Sequence, residues 1–255
     1  WLSNQYEEVR QVGEDGIRYN SGKRHNYCPS SLIMREKTKQ IDQKLSVRFG
    51  RHPGVIGWHI SNEIANNGRD GSCHCENCQN AFRTWLKEKY GSLECLNKAW
   101  WTSFWSHTYT DWSQIQSTSY RGEDLLHGLN LDWKRFVSSQ QLDFCKEEIR
   151  VVRSHSALPV TTNLMAFFRP LDYFQWAKEF DFVSWDCYPN WHSGEDELQT
   201  AAEAAASHSL VRSLRNDTFL MMESTPSIVN WRDINRLKRP GMHALSSLQA
   251  IACGS

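Results

Sequence analysis

The stretch Val55-Ile56-Gly57-Trp58-His59-Ile60-Ser61-Asn62-Glu63 decides the fold. It opens as a short apolar run, the pattern of a strand buried on both faces, and stops on polar residues and a carboxylate. Upstream, residues 30–49 predict a helix with Ile41, Leu45 and Phe49 on one face, ended by Gly50 and Pro53. Downstream, strand-like runs recur at 159–164, 180–185 and 218–222. Polar or aromatic groups attend their ends: Asn163, then Asp186 and Tyr188, then Glu223. Helical patterns fill the spaces between them. One carries Phe82, Trp85, Leu86 and Tyr90 on a stripe and Gly91 as its cap. A short one covers 92–101, and a long one covers 131–154 with Asn130 as N-cap. Two more cover 171–178 and 195–214, and the residues after Glu223 read as loop.

Strand and helix alternate, which predicts parallel strands joined by right-handed crossovers. In such folds chemistry gathers at the carboxyl ends of the strands. No Gly-x-Gly-x-x-Gly or phosphate loop follows a strand, which disfavours a nucleotide fold. The expected class is therefore α/β, a (β/α)8 TIM barrel with a metal-binding loop insertion. A whole barrel of about 250 residues has eight strands. Here a similar length yields four, so the barrel is expected to be incomplete, with residues 1–255 a partial catalytic domain of that type.

Charge and composition remove other classes. Lys and Arg total 29 against 29 Asp and Glu, so there is no electrostatic footprint for nucleic acid or an anionic membrane. No apolar run approaches the length of a membrane-spanning helix. Gly-x-Ser-x-Gly is absent, and His52, His59 and His107 have no nucleophile elbow to serve. The chain opens on Trp1 rather than Met and shows no charged-then-apolar leader, so its true start is expected upstream. Scattered free thiols favour a reducing, cytoplasmic compartment.

Two groups of residues carry chemistry. Glu63 and Glu223 each end an apolar strand, and a carboxylate is costly to bury, so the pair suggests a cleft. Two such carboxylates can flank a glycosidic bond, one protonating the leaving oxygen and the other attacking the anomeric carbon or activating water. Asn62 can hydrogen-bond a sugar hydroxyl beside Glu63. A strand-end salt bridge or a helix cap explains the same residues. The second group is Cys73-His74-Cys75-Glu76-Asn77-Cys78. Thiolates this close can bind one tetrahedral metal if a fourth ligand joins them. Cys28 is the better candidate and His74 the weaker, while three free thiols or a disulfide remain open. A four-cysteine site is closed and structural, and would pin the loop beside Glu63. Trp105, Trp112, Trp185, Trp191 and Trp231, in loops or at strand ends, can stack on sugar rings or simply anchor loops. Arg232, Arg236, Lys238 and Arg239 read as a solvated basic face.

Several motifs together resemble glycoside hydrolase family 42, the β-galactosidases. They are Trp58-His59-Ile60-Ser61-Asn62-Glu63, the cysteine loop, the run from Phe82 to Gly91, and Phe104-Trp105-Ser106 with Tyr109-Thr110-Asp111-Trp112. Met222-Glu223-Ser224-Thr225-Pro226, Asn230-Trp231 and the run from Asn235 to Gly241 complete the set. The resemblance covers essentially the whole chain. It implies a retaining barrel enzyme, with Glu63 as acid/base after the fourth strand and Glu223 as nucleophile ending the seventh. It also implies substrate contacts at Arg24, Asn62, Trp105, Tyr188 and Trp231. Cys28, Cys73, Cys75 and Cys78 match the family's ligands for a structural Zn2+. The expected substrate is a β-galactoside, with no nucleic acid or membrane partner, and the full-length parent is expected to be a homotrimer. Trp1-Leu2 resembles the segment after the third strand and Ser255 the point before the eighth, so about strands four to seven are expected. Two alternatives remain: a zinc-stabilised, non-catalytic carbohydrate-binding fragment, and a related glycosidase such as an α-L-arabinopyranosidase.

Overall fold

In the computed structural model of the chain, the described residues are 1–22, 24–65, 71–191, 196–226, 228–229, 231, 233 and 235–255. They form two units, each with its own packing. The first comprises Trp1–Phe49, Ala65–His155 and Pro170–Asp172; the second comprises Gly50–Ile64, Ser156–Arg169 and Tyr173–Ser255. No helix among the described residues is long and apolar enough to cross a membrane.

The first unit is helical: α1 (Leu2–Gln5), α2 (Leu32–Phe49), α3 (Glu76–Tyr90), α4 (Leu93–Trp100) and α5 (His127–Arg153). Cys78, Phe82 and Leu86 repeat every fourth residue along α3, so one stripe turns inward. It meets Leu96 and Trp100 of α4 and Leu129, Trp133 and Phe136 of α5. Gly91 ends α3 with φ 72, as its sequence predicts. Buried Asp132 ties the three helices together, accepting from Tyr90 Oη (2.6 Å), Trp100 Nε1 (3.0 Å) and Lys89 Nζ.

Two expectations fail in this unit. Helix α2 forms, but Ile41 and Leu45 are exposed and only Ser46 is buried. Its contact with α5 is polar, through Arg35 to Asp143 (2.7 Å) and Glu147 (2.9 Å). Helix α5 begins at His127, ahead of the expected cap at Asn130. Its N-cap is Leu126, whose side chain makes no capping bond; Glu123 Oε1 accepts from the backbone N–H of Leu125 (2.8 Å) and Leu126 (2.9 Å), just ahead of the helix.

The second unit holds every strand named here: β1 (Trp58–His59), β2 (Val160–Thr161), β3 (Asn163–Leu164), β4 (Val183–Asp186) and β5 (Phe219–Glu223). Its helices are α6 (Tyr173–Trp176), α7 (Glu197–Ser213) and α8 (Met242–Ala252). All pairings are parallel: β1 with β2, β3 with β4, and β4 with β5. Only Thr162 separates β2, which pairs with β1, from β3, which pairs with β4, so one line of chain joins a two-stranded sheet to a three-stranded one. Every residue of β2, β3 and β4 is buried, as a parallel strand covered on both faces requires. The stripe Thr200, Ala204, His208, Val211 seats α7, and Asp196 caps it by accepting from Leu198 N at 2.9 Å. Glu195, at the expected start of this helix, lies outside the described residues. Helix α8 occupies part of a stretch expected to be loop.

The pairing of β4 with β5 contains one irregularity. Trp185 partners Met221, but Asp186 partners Glu223, leaving Met222 as an extra residue. A one-residue slip turns all later side chains to the opposite face, so this bulge brings Glu223 alongside Asp186.

Candidate active site

The sheet unit gathers carboxyl groups from three strand ends. Glu63 lies four residues past β1, Asp186 ends β4 and Glu223 ends β5. One oxygen from each lies within 4.8 Å of the others. Glu63 adopts a left-handed backbone with φ 43, which costs a non-glycine residue roughly 1–3 kcal/mol and holds the chain in a turn.

Asn163, at the start of β3, sits among these groups. Its Nδ2 donates toward Asp186 Oδ2 (2.5 Å), Asn62 Oδ1 (3.0 Å) and Glu223 Oε1 (3.2 Å). Its Oδ1 accepts from Glu63 N (2.7 Å) and lies 3.0 Å from His59 Nε2. On the far side of Glu223, Tyr188 donates its phenol hydrogen to Oε2. The Tyr188 ring meets Trp231 edge to face, with centroids 4.9 Å apart.

Packing three carboxyls together has an electrostatic consequence. Burial first, then the Glu223 and Glu63 charges, push the Asp186 carboxyl up to about 8. The cluster therefore holds a proton at neutral pH, in the hydrogen bond between Asp186 and Glu63, and sheds one of its three charges without an external cation. Burial and the bond to Glu223 also raise the Tyr188 phenol above its ordinary value, keeping it a donor.

The helical unit gathers thiols. Cys28 Sγ lies 3.4 Å from both Cys75 Sγ and Cys78 Sγ, and all four sulfurs fall within 4.8 Å of one another. All four residues are buried. A disulfide needs about 2.05 Å between sulfurs, so these are free thiols. A tetrahedral ion with bonds of about 2.3 Å places its sulfurs about 3.8 Å apart, which these four accommodate. His74 is not among them. Its Nδ1 and Nε2 lie 2.8 Å from Ser117 Oγ and Ser72 Oγ, and its ring packs on Trp133. Hydrogen bonds to Cys73 and Cys75 hold the Cys28 thiol well above its ordinary value, while the bond from Cys28 holds Cys75 below it. The cluster is shaped to share few protons among many sulfurs, the condition that a bound cation relieves.

Of the expected residues, Asn62, Glu63, Tyr188, Glu223 and Trp231 belong to the sheet unit. Arg24 and Trp105 belong to the helical unit with the cysteines. Trp105 is exposed beside Phe104, with centroids 4.8 Å apart, on the rim of a cavity of about 500 Å³. Arg24 is exposed. Sequence reasoning placed Asn163 and Asp186 at strand ends without a specific role, and gave His59 none. The available signal was an Asn and an Asp interrupting apolar strands.

The family model described as beta-galactosidase matches residues 1–255. The chain belongs to glycoside hydrolase family 42. Among curated relatives, it is 53% identical to beta-galactosidase BglY of Alicyclobacillus acidocaldarius over its whole length, covering 36% of that protein. It is 49% identical to beta-galactosidase GanA of Bacillus subtilis, again over its whole length, covering 38% of that protein. Among solved structures, the family 42 chain superposes on the cold-adapted beta-galactosidase from Rahnella sp. R3 with a TM-score of 0.95 and 51% identity. All of this chain and 37% of that one are covered. The chain thus spans little more than a third of the relatives it matches.

Proposed function

We propose that this chain carries the catalytic carboxylates of a retaining β-galactosidase, within the part of a (β/α)8 barrel that holds about strands four to seven. The observation that carries this reading is the spacing of Glu63 and Glu223, whose oxygens lie within 4.8 Å. Retaining glycosidases hold their two carboxyl groups about 5–5.5 Å apart, whereas inverting ones leave about 6.5–9.5 Å for a water. Glu223 attacks the anomeric carbon as Glu63 protonates the glycosidic oxygen, and the aglycone leaves. Glu63 then takes a proton from water, which opens the galactosyl ester and releases the sugar with its anomeric configuration kept. Tyr188 steadies the attacking oxygen through its hydrogen bond to Glu223. Asn62, Arg24, Trp105 and Trp231 are the proposed substrate contacts.

Cys28, Cys73, Cys75 and Cys78 would hold a structural Zn2+, with no ligand position left for chemistry. Such an ion would tie the N-terminal loop to the start of α3. A homotrimer at full length and a cytoplasmic location complete the reading.

The test is hydrolysis of nitrophenyl β-D-galactoside by the protein at its full natural length, with the first anomer released followed by NMR. Expected are initial β-galactose and loss of turnover in Glu223→Gln. Release of α-galactose first would overturn the retaining assignment. A preference for the α-L-arabinopyranoside would move the substrate. Sugar binding without turnover of any glycoside would leave a non-catalytic binding protein.

A further inference from the structure

Asn163 bonds to Asn62, Glu63, Asp186 and Glu223, yet the double displacement gives it no task. It is 1% exposed, so no solvent competes for its amide. Its orientation is fixed. Glu63 N–H can only donate, so the group facing it must be the Asn163 oxygen, and the amine must face the carboxyls. For the same reason His59 donates from Nε2.

We propose that Asn163 is a positioning residue of the reaction, whose amide fixes Glu63 against Glu223 and shares two protons among three acceptors. This rests on the glycosidase reading above. The oxygen side acts on the acid/base. By accepting from Glu63 N, it holds a backbone that left-handed strain would otherwise release. The nitrogen side acts on the nucleophile. An amide nitrogen has two hydrogens, but Asp186, Asn62 and Glu223 all lie within 3.2 Å of it. A fully charged Glu223 draws a share of those hydrogens. Once its charge is lost in the sugar ester, it accepts more weakly, and the hydrogens settle on Asp186 and Asn62. The amide follows the charge without any heavy atom moving, the kind of preorganised donor that favours a charge-changing reaction. The titratable groups facing this amide are Glu63, Asp186, Glu223 and His59. Tyr188 lies beyond Glu223, and the Tyr173 phenol feels both Glu63 and Asp186.

The experiment compares Asn163→Ala, Asn163→Asp and Asn163→Ser with wild type at full natural length, reading kcat, KM and the pH profile. Loss of geometry at the reacting groups should lower kcat in Asn163→Ala by about 100-fold, with KM changed far less. With a donor to the reacting carboxyls removed, the acid limb of kcat/KM should move up by about one pH unit. Asn163→Asp should be poorest near neutrality and recover toward wild type as acid protonates the new carboxyl and restores one donor. An unmoved acid limb, or a loss confined to KM, overturns the inference. So does loss of a folded thermal transition in all three variants, which would make Asn163 a structural residue. Wild type without glycosidase turnover, or full turnover in Glu223→Gln, sinks the functional reading instead and takes this inference with it.

Discussion

The two clusters answer one electrostatic problem in opposite ways. In the helical unit, four buried thiols crowd within 4.8 Å; in the sheet unit, three carboxyls do the same. The thiols bond mainly to one another, with the Val12 amide donating to Cys73 and Cys78 donating to the Ser30 hydroxyl, so a cation is the natural way to hold several of them ionised. The carboxyls are relieved internally. Asp186 and Glu63 hold a proton between them, and Asn163 and Tyr188 supply donors. A site that needs a cation is closed and serves stability. A site that balances itself with protons and donors keeps its charge adjustable, and adjustable charge is what acid–base chemistry uses.

Crossed substitutions separate the two. Glu223→Gln should lower kcat by roughly 10^4-fold or more while leaving the melting transition near wild type. Cys75→Ser, or a strong chelator, should do the reverse. Bound metal by elemental analysis should vanish, and stability should fall by more than about 4 kcal/mol in denaturant melts. Equal effects of both on melting and turnover would break the division of labour. Tyr188→Phe should cost about 10-fold in kcat, one charge-assisted donor to Glu223.

The smallest effect concerns Asp186 and pH. Its folded-state pKa of about 8 lies above the ordinary carboxylate value of 3.8. Between those values the folded state binds the extra proton, so this group's contribution to stability is complete below about 4 and is lost as pH rises through 8. Asp186→Asn, which mimics the protonated acid, should flatten that part of the stability–pH curve. A curve unchanged by the substitution would place the proton elsewhere in the cluster.

Local features were legible in the sequence and distributed ones were not. Cys73, Cys75 and Cys78 announce themselves by spacing, and Cys28 joins from the loop where it was sought. Glu63 and Glu223 are visible because apolar strands end on them. Asn163 is different. Its importance arises from neighbours at positions 62, 63, 186 and 223, and periodicity carries no trace of such a meeting. The start of α5 was hidden because its N-cap is Leu126, a residue with no side-chain acceptor for the first turn. Helix α8 was hidden because Leu245, Leu248 and Ile251 are exposed and its buried positions are only Met242 and Ala250, leaving no clear inward stripe.

The bulge at Met222 sets what kinds of mutation this strand tolerates. Met222 is half-buried and has no partner on β4, so its identity matters little, and another aliphatic side chain should serve. Its presence matters a great deal. Deleting it would restore regular pairing and turn the residue at the strand end to the opposite face of the sheet. At this point of the chain, substitutions are cheap and a single in-frame deletion is an inversion, so drift can rewrite the letter but not the count.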